Sequence, residues 1–457
     1  MRDEMDVETV QALFSRRSLW QAWLEVEAAL AVAQASLGMI PREAAERIAA
    51  RATLAGLDEQ ALARDIARTR APIVSLVRAL AEACGPEAGA YVHWGATTQN
   101  VTQTGRILRL RTAHRAIVVR LGAILARLAA LADEGAEWIV AGRTNRRHAL
   151  PITFGFKVAA WIDEFLRHER RLAEVEPRAF ALLWGGAIGA MHSFGAQGEA
   201  LNRALAARLG LAAPTIASRA ATDHIAEYVL VLALFGSTCS KVAAELYTLM
   251  SNEVAEVRED LGDDVVGSST MPQKENSKVA VAVIALGARL RAQATLALEA
   301  TQASHEGDSA HNLMVSALIE EAAPLAFEAA ARMEELLACL RPDPERMRAN
   351  LGLSGELIAA ENAMMVLAPR VGRESAHHAV HEAARAAMSS GEPLSDVLWR
   401  DEAVRACVTR ERLREALDPA RYLGQSVPLA RRCAALAREA AARCREKEGT
   451  GPFPGSR

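Results

Sequence analysis

The chain has 457 residues, with 53 Lys and Arg against 56 Asp and Glu, a formal net charge of −3 at pH 7. That length allows a large core and more than one domain. The near balance of charge leaves no footprint for nucleic acid or for an anionic membrane surface.

The opening MRDEMDVETVQALFS is acidic and lacks the apolar run of a signal peptide. Six cysteines (Cys84, Cys239, Cys339, Cys407, Cys433, Cys444) never form a CxxC pair, so they read as reduced thiols in a cytoplasmic protein and suggest no structural metal. LWQAWLEVEAALAVAQASLGMI places Leu19, Trp23, Val26 and Leu30 on one helical face and stops at Gly38. Helical spacing recurs over 106–136, 151–181, 222–258, 279–302, 310–338 and 354–369, and strand signals are nearly absent. Within 222–258, the uninterrupted apolar run from Val229 to Phe235 is too short to span a bilayer and reads as part of a central buried helix. The expectation is an all-α protein. A helical domain over 1–105 leads to a long-helix bundle over 106–345, a C-terminal helical domain over 346–445 and a disordered tail over 446–457. Wide apolar arcs on the central helices suit helices surrounded by neighbours, including neighbours from other subunits.

Three polar segments interrupt this scaffold. YVHWGATTQNVTQTGR, residues 91–106, brings His93, Thr97, Thr98, Gln99, Asn100, Thr102, Gln103 and Thr104 to the start of the first long helix. A helix cap needs one or two such residues; a run of neutral donors at a helix start suits a substrate carboxylate. VAGRTNRRHALPITFGFK, residues 140–157, clusters Arg143, Arg146, Arg147, His148 and Lys157 around Thr144 and Asn145, and reads equally as a solvated basic patch. In VVGSSTMPQKENSKVA, residues 265–280, Gly267 frees the backbone, Ser268 and Ser269 follow, Pro272 limits the hinge, and Lys274 and Asn276 come next. Such a segment has the make-up of an active-site lid that delivers a hydroxyl and then a cation. A serine there works as a base only where its oxyanion is stabilised.

Other constellations carry less. No GxSxG, HExxH or P-loop occurs, and the glycines of WGGAIGAMHSFGAQG lack the preceding strand of a dinucleotide site. Gly185, Gly186 and Gly189 therefore read as close helix contacts or backbone donors near a ligand. His168 and His224 read as ordinary helix residues. His305, Glu306, Asp308 and His311 are metal-binding types without a convergent fourth ligand.

Together and in this order, the three segments resemble the aspartase/fumarase superfamily. GSSTMPQKEN matches its signature GSSxMPxKxN at Gly267, Ser268, Ser269, Met271, Pro272, Lys274 and Asn276. HWGATTQNVTQT is similar to the HWGATSQDxxDT of the adenylosuccinate lyase and 3-carboxy-cis,cis-muconate cycloisomerase branch, and GRTNRRHALPITFG to GRTHxQxAxPxTFG. The likeness extends to WLEVEAALA, AENAMMVLAPRVGRESAH and DPARYLG, so it covers most of the chain.

The resemblance implies the aspartase/fumarase fold and a homotetramer whose active sites each combine segments of three subunits. It implies anti β-elimination from a substituted succinate, releasing fumarate without a cofactor. Carried over residue by residue, Ser268 is the base. Lys274 and Asn276 hold carboxylates, and Thr97, Thr98 and Gln99 bind carboxylate oxygens. His93 contacts substrate, and Met271, Arg143, Thr144 and Asn145 complete the candidate substrate-binding set.

Several positions depart from the pattern. Asn145 stands where many members carry an acid histidine, and an amide is no acid at neutral pH. Either another group protonates the leaving group, with His148 a candidate one helical turn on if that segment is helical, or the leaving group needs no proton, as nitrite does in the superfamily's nitrosuccinate lyases. Asn100 and Gln103 replace acidic residues, Glu275 and Ser277 replace a basic residue and a proline, and SHEGDSAHN lacks an arginine. These changes speak against an ordinary adenylosuccinate lyase. The leading expectation is a fumarate-forming lyase acting on an N-substituted aspartate or on nitrosuccinate. The alternative is a 3-carboxy-cis,cis-muconate cycloisomerase that closes a lactone, and a noncatalytic homologue is the third class. Ser268 is expected to be the base and Ser269 to support the loop.

Overall fold

The computed structural model describes residues 5–446 apart from Asp263 and Pro272. The hinge expected at Pro272 and the tail expected beyond residue 446 lie outside the described residues. Within them the chain is almost wholly helical, with four short strands paired as two antiparallel ribbons. The helices that build and carry the site are α1 (Arg16–Ser36), α2 (Thr98–Glu134), α3 (Phe154–Ala179), α4 (Asp223–Leu249), α5 (Val279–Glu299), α6 (Ser309–Cys339) and α7 (Ser426–Glu446). Strand β1 (Ile139–Thr144) pairs with β2 (Arg147–Thr153), and β3 (Val257–Glu259) pairs with β4 (Leu340–Pro342).

Helix α1 begins where the Ser15 hydroxyl accepts the Ser18 N–H and gives way to Gly38 at φ 70°. Leu19, Trp23, Val26 and Leu30 are buried as their spacing demands, and so are Glu27 and Gln34 on the same helix. Helices α2 to α6 pack side by side, and α7 lies along α2 and α3. The approach of α7 is close because its buried stripe is alanine (Ala430, Ala434, Ala437, Ala441), facing Gly122 of α2; a Cβ on that glycine would meet Cys444 Cβ at 2.7 Å.

One apolar cluster runs from Val10 to Met347 and takes in α7, while a second is confined to residues 363–417. The boundary expected at 105/106 falls inside α2. Of the expected C-terminal unit, residues 363–417 have their own core and α7 belongs to the bundle.

The helical segments read from spacing appear with trimmed ends. Residues 151–153 belong to β2, and α3 starts only at Phe154, where the Thr153 hydroxyl accepts the Phe156 N–H. Helix α4 stops at Leu249 because Ser251 turns its hydroxyl onto the Thr248 carbonyl and Ala255 takes φ 51°. By length and composition alone α4 and α5 could each cross a membrane. The most apolar window of α4 is 61% buried inside the chain, that of α5 only 33%. So α4 is the central helix, and α5 keeps an open apolar side that includes Val281 and Leu298.

The bundle sets the distances that matter. Helix α5 leaves the 260–278 loop at Val279 and ends beside Ala300, whose carbonyl accepts the Thr222 hydroxyl at 2.8 Å. Just before Thr222, the Arg219 carbonyl accepts the side-chain amides of Gln99 and Gln103. The 21 residues of α5 at 1.5 Å each therefore set the first polar segment about 30 Å from the signature loop. The β1–β2 hairpin sits at the loop's end, tied there by Arg143 and Glu256.

Candidate active site

The signature loop folds on its own backbone. Gly267 passes so near the Lys274 carbonyl that a Cβ would come within 2.4 Å, and the Asn276 amide donates to the Gly267 carbonyl at 2.9 Å. Ser268 lies inside this turn, where its Oγ accepts the N–H groups of Met271 at 3.2 Å and Thr270 at 3.4 Å. Two converging donors favour the anionic form of an oxygen. Ser269 is exposed, and no such contact reaches its hydroxyl among the described residues. Met271, Lys274 and Asn276 are exposed, and with Gly267, Met250, Asn252 and Glu259 they line an open cleft of about 720 Å³.

The base of the loop is held by Glu259 of β3. Its carboxylate accepts the Ser277 hydroxyl at 2.7 Å and the N–H groups of Lys278, Val279 and Ala280 at 2.8, 3.1 and 2.9 Å, capping α5 from a neighbouring strand. Burial opposes its ionisation, but the hydrogen bonds from Ser277 and the three N–H groups outweigh it, and the net shift is downward.

The second polar segment is a hairpin, not a helix. Asn145 and Arg146 take φ 50° and 63° at its two-residue tip, where a turn with two left-handed positions favours asparagine. His148 therefore does not stand a helical turn beyond Asn145; it pairs across the ladder with Arg143. Its Nδ1 lies 2.8 Å from Ser354 Oγ, and burial, aided by Arg143 and opposed by Glu256, lowers its pKa. A depressed imidazole is mostly neutral at pH 7, which weakens His148 as an acid. Arg143 turns to the buried Glu256, with nitrogens 2.6 and 3.0 Å from the two carboxylate oxygens, and Asn350 donates to the same carboxylate at 2.9 Å. Thr144 and Asn145 remain exposed at the tip.

The first segment forms the start of α2. Thr97 is the N-cap residue but makes no side-chain cap, and Thr98 is exposed, so the first N–H groups of the helix are left to other partners. Gln99 is buried and its amide donates inward, to Asn312 Oδ1 at 2.6 Å and the Arg219 carbonyl at 3.2 Å. Asn100 is fully buried and structural: it donates to the Leu183 carbonyl and accepts the Gly186 N–H, tying the glycine-rich turn to α2. Close approach explains Gly185 and Gly189: a Cβ on Gly185 would meet the Gly189 backbone at 2.6 Å, and one on Gly189 the Ala217 carbonyl at 2.9 Å. His93, at φ 61°, sets Nδ1 2.6 Å from Oε1 of the buried Glu27.

His168 and His224 are helical, the former buried with Nε2 2.9 Å from the Thr238 hydroxyl. No group of three or more metal-ligating side chains forms among the described residues. One chain thus brings the hairpin and the loop to one end of the bundle and leaves His93, Thr97 and Thr98 at the other. Glu27, Glu256 and Glu259 escaped the sequence reading. Glu27 and Glu256 each had one signal, a carboxylate set among apolar neighbours that needs a partner once buried, whereas Glu259 stands between Arg258 and Asp260 and had none.

Residues 1–290 match the family described as Lyase, and residues 356–433 match the adenylosuccinate lyase C-terminus. An N-acetyl-S-(2-succino)cysteine lyase from Dickeya dadantii (strain 3937) is 34% identical over 91% of this chain and 92% of its own. A 3-carboxy-cis,cis-muconate cycloisomerase from Pseudomonas aeruginosa is 36% identical over 91% of this chain and 92% of its own. The crystal structure of a fumarate lyase from Mesorhizobium sp. BNC1 superposes with a TM-score of 0.87 at 34% identity, covering 94% of this chain and 97% of that one.

Proposed function

Because the chain belongs to the aspartase/fumarase superfamily, we propose that it is a lyase carrying out anti β-elimination on a substituted succinate to release fumarate, with Ser268 as the base. The observation that carries this reading is the Ser268 oxygen inside its turn, accepting the Met271 and Thr270 N–H groups. A proton beside a carboxylate is very weakly acidic, so the base and the dianion it creates both need fixed donors. Ser268 takes the proton. The electron pair moves into the neighbouring carboxylate, held by Lys274, Asn276 and the neutral donors at Thr97 and Thr98. The bond to the substituent then breaks and fumarate leaves.

The substituent is linked through nitrogen, as in N-substituted aspartates and nitrosuccinate, or through sulfur, as the name of the Dickeya relative suggests. Since the length of α5, about 30 Å, lies between the base of the signature loop and the end that meets the first polar segment, a working site needs more than one copy. A homotetramer with composite sites is part of this reading, supported by the open apolar side of α5 and by exposed Leu234 and Tyr247 on α4. The six cysteines form no disulfide among the described residues, which favours a cytoplasmic setting.

The test is to incubate the purified protein with nitrosuccinate, aspartate, several N-substituted aspartates, an S-(2-succino) thiol and 3-carboxy-cis,cis-muconate, following ultraviolet absorbance and product masses. Fumarate with the matching amine, nitrite or thiol supports the reading. A lactone from the muconate without fumarate from any succinate overturns it in favour of a cycloisomerase, the activity named for the Pseudomonas relative.

A further inference from the structure

Asn145 at the hairpin tip cannot donate a proton, and His148 is turned to Ser354 with a lowered pKa. Elimination of an amine still requires one. A different histidine is built for the task, at the far end of the bundle. His93 lies directly before the donors of the first segment, at φ 61° in the left-handed backbone region that few non-glycine residues adopt. Two side chains of α1 hold it there. Glu27 meets the His93 ring at 2.6 Å, and Gln34, two turns on along the same buried face, donates to the Trp94 carbonyl at 2.7 Å. Gly95 follows at φ 71°, pressed against Phe194.

Glu27 is unusual for a packing residue. It is 1% exposed, and its second oxygen, Oε2, is buried without a hydrogen-bond partner among the described residues. A carboxylate placed so is expensive, and an apolar residue would join α1 to the core without that cost. A carboxylate only accepts hydrogen bonds, so the contact keeps a proton on Nδ1 and turns Nε2 away from α1. The His93 side chain remains 17% exposed.

We infer that Glu27 is a positioning residue that makes His93 the acid of the reaction. This rests on the fumarate-forming reading above. Protonated His93 carries its second proton on Nε2. As Ser268 removes the Cβ proton and the bond to the substituent breaks, the electron pair goes to the departing nitrogen or sulfur, and the Nε2 proton follows it. Fumarate and the neutral amine or thiol leave. Neutral His93 keeps its Nδ1 proton on Glu27 and is recharged from water, which also receives the proton held by Ser268.

The experiment compares wild type, Glu27→Gln, Glu27→Asp and His93→Gln on substituted succinates graded by leaving-group basicity, from nitrosuccinate through thiol-linked to amine-linked. The expected result for H93Q is a loss in kcat that grows with basicity and reaches about 10²- to 10⁴-fold for amines, with KM little changed. E27Q follows the same trend with a smaller loss, and E27D recovers part of it. A loss equal for all leaving groups, or one confined to KM, overturns the inference and leaves Glu27 a structural tie. Wild-type protein that releases fumarate from none of these compounds overturns the functional reading and this inference with it. A second measurement is independent of turnover: diethyl pyrocarbonate acylation of His93, located by peptide mass spectrometry with His377 as internal control. A rate of His93 acylation in E27Q that differs from wild type, with His377 unchanged, supports the pairing, and an unchanged rate overturns it.

Discussion

Arg143 and Glu256 meet through two side-by-side hydrogen bonds that lock the β1–β2 hairpin to the chain just ahead of the signature loop. Glu256 is completely buried. Removing the arginine leaves a charge there without its counterion, and breaking such a pair typically costs about 3–5 kcal/mol. Arg143→Ala should lower the denaturant midpoint accordingly. The double replacement Arg143→Met with Glu256→Met should be less destabilised than Arg143→Ala, because no bare charge remains. Equal midpoints for wild type and R143A would mean that Arg143 serves substrate and not the fold.

Ser268 and Ser269 are adjacent but not equivalent. Among the described residues Ser268, and not Ser269, receives two backbone N–H groups, the local donors that a base needs. Ser268→Ala should reduce kcat by about 10²- to 10⁴-fold, the usual contribution of a proton-transfer group, while thermal unfolding and the molecular mass in solution stay as in wild type. Ser269→Ala should retain most of the activity. The reverse ranking would exchange the two roles.

Asn145 answers to two demands, one from the turn and one from the site. At φ 50°, a β-branched side chain is strained by roughly 1–2 kcal/mol. Asn145→Val should lose about that much stability, and Asn145→Gly should lose little. Asn145→His should fold, because histidine tolerates this region better than most residues, yet should gain no rate on ordinary aminosuccinates if His93 is the acid. A large gain would return the acid to the hairpin.

Much of this arrangement was legible in the sequence, for identifiable reasons. Leu19, Trp23, Val26 and Leu30 recur with the helical period and are buried together. The loop could be singled out because Gly267, Ser268, Ser269, Lys274 and Asn276 have no use in a short helical connection. The hairpin escaped the sequence reading, and residues 151–153 were read into the following helix, because its ladder is only six and seven residues long, includes Pro151, and runs into a helix whose own spacing dominates the window. Asn100 and Asn145 drew attention as departures from a motif. One is a buried anchor between α2 and the glycine turn, and the other a turn former. Partners from distant stretches, such as Glu27 for His93 and Ser354 for His148, follow from packing and leave no spacing to read.

Glu259 makes the loop sensitive to acid in a predictable direction. Burial opposes its ionisation, yet the Ser277 hydroxyl and the N–H groups of Ala280, Lys278 and Val279 leave its pKa lower in the folded protein than in the unfolded chain. A depressed carboxylate contributes stability that is fully present above the unfolded pKa and is lost as pH falls through the folded one. At pH 7, Glu259→Gln should therefore loosen the start of α5 by about 1 kcal/mol, the scale of a lost helix cap. Faster amide exchange at Val279 and Ala280 would report it. The difference between wild type and E259Q should narrow as pH falls below the ordinary carboxylate range and through the lowered folded pKa, where the wild-type carboxyl also becomes protonated. Because the same carboxylate holds Ser277, the residue next to the Asn276 that closes the turn around Ser268, kcat should fall with the loosening. A gap between the two proteins that stays constant from pH 7 to acid would show that shape, and not charge, holds the base of the loop.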